Sequence, residues 1–289
     1  MTWQADPAWE PVAWPAPAGV KAAMTTRLGG VSRAPFDSFN LGDHVGDDPV
    51  SVAANRQRLT RLLGVQTVFL KQIHGIHVQH LQHHTPHGTV ADACVTQSLG
   101  LACTVMVADC LPVLLTDSVG RTVAAAHAGW RGLAGVDQPD GQGVLASTLK
   151  TFGKLVPTEK TQGASPSDSC PVTPVGLAGC MAWLGPCIGP AAFEVGAEVR
   201  EAFMACGLPV QAVSACFEPV AGATGKYHAH LASLARLQLS QLGLTNIYGN
   251  DGSDAWCTVT QSSRWFSHRR DAGSLGSTGR MAACVWLEA

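Results

Sequence analysis

Between residues 66 and 127 the chain offers one short apolar segment after another, with no helical pattern between them. Segments 68–72, 76–81, 101–108, 113–116 and 122–127 are rich in Val, Ala and Leu, and turn residues separate them. Each is the length of a strand. A doubly wound parallel sheet needs a helix at every crossover, so these strands must pair in antiparallel or mixed fashion. Further strand candidates are 20–25, 181–184, 255–259 and 281–287. The expectation is an α+β fold of layered, mixed sheets rather than a βαβ repeat.

Helices are predicted outside that block. Asp48 followed by Pro49 reads as an N-cap with proline at the first helical position. Val52, Leu59, Leu62 and Leu63 then share one face. A second helix is predicted to open at Pro190, with Val195, Val199, Ala202, Phe203 and Cys206 at three- and four-residue steps and Gly207 as its stop. A third carries Tyr227, Leu231, Leu234, Ala235 and Leu242 and stops at Gly243; a fourth spans 144–155. Segment 157–176 is dense in Pro, Ser, Thr and Gly and has almost no large apolar residue. It reads as a polar insertion, because burial cannot offset its ordering entropy. With the smaller break at 137–142, the 289 residues read as one catalytic domain carrying an insert.

Composition removes several functions. Nineteen basic and 21 acidic residues give a net charge of -2, without the basic excess of a nucleic-acid binder. Charged residues are 14% and hydrophobic residues 46%, which excludes a disordered chain. No apolar stretch is long and unbroken enough for a membrane span, and no signal peptide is visible, so a cytoplasmic protein is expected. The ten cysteines contain no C-x-x-C pair, against zinc ribbons and dithiol redox motifs. The oligomeric state leaves no mark in the sequence.

Several motifs lack their context. Gly141-Gln-Gly143-Val-Leu-Ala146 has no strand before it to scaffold a dinucleotide turn. Gly225-Lys226-Tyr227 lacks the P-loop spacing, and no G-x-S-x-G is present. His80, His83, His84 and His87 read as a solvated loop, and His228 with His230 as capping or surface groups.

Three segments place a ligand-type residue at the end of an apolar run. His74 precedes Gly75, Cys110 precedes Leu111-Pro112, and His127 precedes Ala-Gly-Trp-Arg. Two imidazoles and one thiolate suit a tetrahedral zinc with its fourth position open, which is the catalytic arrangement. Spacing alone favours the alternative, a buried thiol and satisfied core histidines.

The segments Gln72-Ile-His74-Gly75, Ala108-Asp109-Cys110-Leu-Pro112 and Ala126-His127-Ala-Gly-Trp130-Arg131-Gly132 resemble the signatures of the laccase-domain family. Its members are also called multicopper polyphenol oxidoreductases or peptidoglycan-editing factors. Thr25-Thr-Arg27-Leu-Gly29-Gly30, Asn40-Leu41-Gly42, Leu184-Gly-Pro186-Cys-Ile-Gly189-Pro190, Phe266-Ser-His-Arg269-Arg270-Asp271 and Thr278-Gly-Arg280-Met281 carry the same resemblance, in the same order. The resemblance implies an αββα sandwich and zinc, with copper as an alternative occupant, on His74, Cys110 and His127. It further implies a purine nucleoside phosphorylase acting on adenosine, inosine, guanosine and methylthioadenosine, with adenosine deaminase activity. Its partners would be purine nucleosides and phosphate. The chain departs from the family at 137–142 and 157–176, which lengthen the path after Leu133.

The chemistry then suggests roles. Arg27 and Arg131 are phosphate candidates, since an arginine beside glycine-rich backbone offers a fork plus N–H donors. Asn40 is a candidate for a ribose hydroxyl or base edge. Asp109 is a candidate general acid or support for Cys110. Against these stand loop-stabilising hydrogen bonds for Arg27 and Asn40, and an ion pair of Asp109 with Arg131. Arg269 and Arg270 are expected to tie down the C-terminal strand. Laccase chemistry lacks its His-Cys-His electron route and has only one H-x-H pair, His228 with His230. A metal-free cysteine hydrolase on Cys110 and His127, or an accessory part in cell-wall precursor editing, are the other readings.

Overall fold

A computed structural model describes residues 6–138, 141–156 and 177–288. Two large sheets face one another. The five-stranded sheet runs, in spatial order, β1 (Trp9–Pro11), β2 (Val20–Thr25), β14 (Met281–Leu287), β6 (Leu101–Val107) and β3 (Gln66–Thr67). The six-stranded sheet runs β13 (Asn246–Gly249), β9 (Met181–Leu184), β7 (Leu111–Thr116), β8 (Val123–Ala128), β5 (Ala93–Thr96) and β4 (Val78–His80). A small third sheet orders β10 (Glu194–Gly196), β12 (Lys226–Ala229) and β11 (Phe217–Pro219). Pairing is mixed: β7 and β8 are antiparallel, whereas β4 and β5, β9 and β13, and β3 and β6 are parallel.

Side-chain alternation shows why the sheets stack. In β14, Met281, Ala283, Val285 and Leu287 point to the layer between the sheets, where they meet Leu114, Val123 and Ala125. The alternate residues Ala282, Cys284 and Trp286 pack with Leu59 and Leu63 of α1 (Pro49–Leu63). In β8, Ala124, Ala126 and Ala128 face the other way, against α3 (Val144–Leu155) and α6 (Leu231–Gln241). Both sheets are therefore apolar on both faces, and the layers read α, β, β, α. The remaining helices are α2 (Trp130–Ala134), α4 (Ala197–Ala205), α5 (Val210–Ser214) and α7 (His268–Leu275). No helix among the described residues is long and apolar enough to cross a membrane.

Local signals hold where the chemistry is local. The Asp48 carboxylate accepts from the Val50 and Ser51 amides, Pro49 opens α1, and Gly64 closes it at φ 70°. The helix over 144–155 and the strands over 20–25, 181–184 and 281–287 are as expected. Where pairing is long-range, the expectations need correction. Segment 68–72 forms a single bridge, Lys71 to Val90, instead of a strand. Side chains take its place in the ladder: the Phe69 amide donates to His87 Nδ1, and Gln72 bonds both the amide and the carbonyl of Met106. Segment 255–259 is a turn, with Trp256 N bonded to Ser253 O and one bridge to Cys187. The helix expected from Pro190 starts only at Ala197, and the one expected from Tyr227 only at Leu231. The reason is shared: 194–196 and 226–229 pair with each other as β10 and β12. His80 ends β4, His83, His84 and His87 lie between β4 and β5, all four exposed, and His230 caps α6 by accepting the Ser233 amide. The polar stretch 157–176 lies outside the described residues.

Leu59 is fully buried between α1 and the five-stranded sheet. Leu59→Ala should lower unfolding stability in urea by about 2–5 kcal/mol. Zinc uptake by the folded variant should be unchanged, because the residue lies on the far side of that sheet.

Candidate metal centre and its cavity

His74 sits in a turn, Cys110 lies in the connection from β6 to β7, and His127 is near the end of β8. By strand alternation His127 shares the inter-sheet side with Val123 and Ala125. The three are brought together as the sequence suggested, with their ligand atoms all within 4.8 Å of one another. Cys110 Sγ lies 3.7 Å from His74 Nε2. The two imidazoles meet edge to face at 4.8 Å between centroids. A tetrahedral zinc, with bonds of about 2.0–2.3 Å, sets its ligand atoms roughly 3.3–3.6 Å apart, so the cluster fits with little contraction.

The organiser is a residue the sequence did not single out. Asp92 is fully buried just ahead of β5. Its carboxylate accepts amides from Ile73 at 3.2 Å, His74 at 2.9 Å and Gly75 at 2.7 Å. That cradle holds His74 in the left-handed region, at φ 61°. The same carboxylate lies 3.0 Å from His127 Nδ1, and the His127 amide donates to the Asp92 carbonyl at 2.7 Å. With Nδ1 engaged, His127 presents Nε2 to the site. Gly129 completes the enclosure, since a Cβ there would stand 2.7 Å from His74 Cδ2 and 3.1 Å from Cys110 Sγ.

Charge follows from this packing. Burial pushes the Cys110 thiol up, but the His127 charge and hydrogen bonds from both imidazoles outweigh it and bring it down to about 6. Burial disfavours a charged His127, yet the Cys110 thiolate and the Asp92 carboxylate raise it to about 9. Burial also pushes Asp92 up, and its bonds to His127, Gly75 and Ile73 bring it below the usual value. Without metal, this packing favours the thiolate of Cys110 and the protonated form of His127. A metal needs the thiolate, which is ready, and displaces the imidazolium proton.

The ligands border a cavity of about 470 Å³. Met106, Val107, Ile188, Phe193 and Leu231 give it an apolar wall; His44, His268, Arg269 and Arg280 add polar groups. Asp109 lines it too, at φ 86°, but its carboxylate accepts from Thr258 Oγ1 at 2.5 Å and the Arg269 amide at 2.6 Å. Those partners, not Arg131, engage it.

Arg27, Asn40 and Arg131 stand outside the lining. Arg27 donates to Asp37 O and Ser262 O, pairs with Asp37 and lies over Phe266. Arg131 is exposed and lies over its neighbour Trp130. Asn40 is buried: its Oδ1 accepts the Gly42 and Arg280 amides, and its Nδ2 donates to Gly42 O and Asp47. Arg269 bonds the carbonyls of Ala192 and Glu194, and Arg270 those of Thr258, Val259 and Trp265. Neither guanidinium reaches the C-terminal strand.

A profile of the family described as multi-copper polyphenol oxidoreductase laccase matches residues 21–167 and 172–288. The chain is 43% identical over 281 residues to a protein of Pseudomonas aeruginosa named purine nucleoside phosphorylase, covering 97% of this chain and 99% of that one. It is 42% identical to the Escherichia coli purine nucleoside phosphorylase YfiH, covering 95% of this chain and 96% of that one. A crystal structure of a Neisseria meningitidis protein superposes with a TM-score of 0.80 at 40% identity, covering 98% of this chain and 100% of that one. YlmD from Geobacillus stearothermophilus superposes at 0.78 and 28% identity, covering 99% of this chain and 98% of that one.

Asp92→Asn keeps the shape but weakens the grip on the 73–75 amides and on His127. Competition against a chromophoric chelator should show zinc affinity lowered roughly 10- to 100-fold. Affinity equal to wild type would leave Asp92 without the organising part assigned to it.

Proposed function

The chain belongs to the multi-copper polyphenol oxidoreductase laccase family, and on that premise we propose that it is a purine nucleoside phosphorylase. Its substrates are adenosine, inosine, guanosine and methylthioadenosine, and it also deaminates adenosine. The observation that carries the reading is the likeness, along almost its whole length, to relatives of that name. The cavity supports it. A volume of about 470 Å³ accommodates a nucleoside, and its apolar wall with Phe193 suits a purine ring.

We assign His74, Cys110 and His127 as ligands of a resident zinc. When bound, zinc supplies Lewis acidity for polarising an oxygen of substrate or solvent. The chain's own residues do the rest. Asp92 fixes both histidines. Asp109, with both oxygens engaged, acts as a positioning residue that seats the start of α7 beside the cavity. The departing purine takes up the bonding electron pair of its glycosidic bond and needs a proton. His268, which lines the cavity, is the residue assigned to provide it.

One observation favours a second reading. Asp92, His127 and Cys110 form a carboxylate–imidazole–thiolate relay of the kind a cysteine hydrolase uses. A second imidazole, His74, set 3.7 Å from the thiol is superfluous to such a relay and natural to a metal site. Polyphenol oxidation ranks below both, since a lone three-ligand site offers no partner cluster for electron transfer among the described residues.

Zinc-loaded protein incubated with adenosine and phosphate should give adenine and ribose 1-phosphate by chromatography, with inosine as the mark of deamination. Unchanged adenosine would overturn the reading. Cys110→Ala and His127→Ala should each lose zinc and turnover while keeping the wild-type circular dichroism spectrum. Iodoacetamide should label Cys110 in metal-free protein and be blocked by stoichiometric zinc. Turnover by fully metal-free protein, abolished by that label, would favour the cysteine hydrolase.

A further inference from the structure

Two arginines line the cavity, Arg269 and Arg280, and among the described residues Arg280 keeps more of its guanidinium donors free. It stands immediately before β14, and its Nη1 donates to Thr278 O at 3.0 Å and Gly279 O at 3.2 Å. Its Nε and Nη2 have no hydrogen-bond partner among the described residues, and no carboxylate there pairs with it. Its neighbours in charge are committed elsewhere. Arg56 is paired with Asp43, Arg270 with Asp271, and Arg269 donates to two carbonyls. A cation held without a carboxylate, beside a metal centre that is itself positive when loaded, makes the cavity a place for an anion.

The surrounding chain is arranged to hold this side chain still. Asn40 Oδ1 accepts the Arg280 amide at 2.8 Å, and the Leu41 amide donates to the Arg280 carbonyl at 3.1 Å. Gly42 lies against the aliphatic stem, since a Cβ there would stand 2.7 Å from Arg280 Cγ. Lost hydration lowers the Arg280 pKa, and the negative charges of Cys110 and Asp109 work against that fall. The Arg280 charge, after burial, helps depress His44. Arg280 is therefore coupled electrostatically to both sides of the cavity.

We infer that the open edge of Arg280 is the oxyanion subsite of this cavity and receives the inorganic phosphate consumed in phosphorolysis. The inference rests on the phosphorylase reading and names its second substrate's seat. The Nε and Nη2 donors form a fork that matches two phosphate oxygens. A third oxygen is left to attack ribose C1′. The C1′–N9 bond breaks, its electron pair leaves with the purine, which is protonated, and a C1′–O bond forms ribose 1-phosphate. Asn40 and Gly42 are positioning residues for this fork, which accounts for a buried asparagine that holds a lining residue without lining the cavity itself.

The test compares zinc-loaded wild type, Arg280→Gln and Arg280→Lys, by steady-state kinetics and by calorimetric titration with inorganic phosphate. Arg280→Gln should raise the KM for phosphate roughly 10- to 100-fold, as expected for losing a charge-assisted hydrogen-bonded pair. Its nucleoside KM should stay within about threefold of wild type on the same ground, and its zinc content should be unchanged. Arg280→Lys keeps the charge without the fork and should fall between the two. An unchanged phosphate KM and unchanged binding heat in both variants would overturn the inference. Wild type that binds phosphate, with the binding lost in Arg280→Gln, but forms no ribose 1-phosphate would uphold the subsite and refute the phosphorylase reading. Wild type showing neither binding nor turnover would refute both.

Discussion

One buried carboxylate organises the centre of this molecule. Asp92 accepts three consecutive amides from the turn at 73–75 and engages the imidazole of His127 on the neighbouring strand. A fully buried charge is costly unless it is paired and hydrogen-bonded, and Asp92 is both. The arrangement joins two things that would otherwise be independent. It bends a loop into a left-handed residue, and it chooses which nitrogen of His127 faces the cavity. The two histidines are thus oriented by one group, and Cys110 is brought to them by the short connection between β6 and β7.

The fold was readable where a local rule decides it. Binary alternation in β14 assigns Met281, Ala283, Val285 and Leu287 to one face and Ala282, Cys284 and Trp286 to the other. Capping by Asp48 and Gly64 bounds α1. The misses share a cause. At 68–72 the Phe69 amide goes to the His87 side chain and the Lys71 amide to the Thr89 carbonyl, and at 194–196 the backbone pairs with a strand about thirty residues away. Apolar spacing does not reveal which partner a backbone will find. β5 is short and lacked the alternation that would have marked it, so Asp92 at its threshold was hidden as well.

The site was legible in its ligands and not in their supports. Histidine and cysteine announce chemistry by type, so His74, Cys110 and His127 stood out and do converge. Asp92 is one of several aspartates, and only tertiary contact distinguishes it. The arginines show the same limit from the other side. Arg27 and Arg131 sit beside glycines in the sequence, yet one pairs with Asp37 and the other lies on Trp130. Arg280 reaches the cavity from the far end of the chain, held by Asn40 across 240 positions. Whether an arginine is free depends on what surrounds it, which the order of residues does not disclose.

The account turns on a metal held by these three side chains under the control of Asp92. Anomalous diffraction at the zinc edge, from crystals grown with stoichiometric zinc, measures that directly. A single strong peak bonded to His74 Nε2, Cys110 Sγ and His127 Nε2, with His127 Nδ1 still on Asp92, is the predicted result. A peak elsewhere, or none at this cluster with the three side chains unbridged, would contradict it.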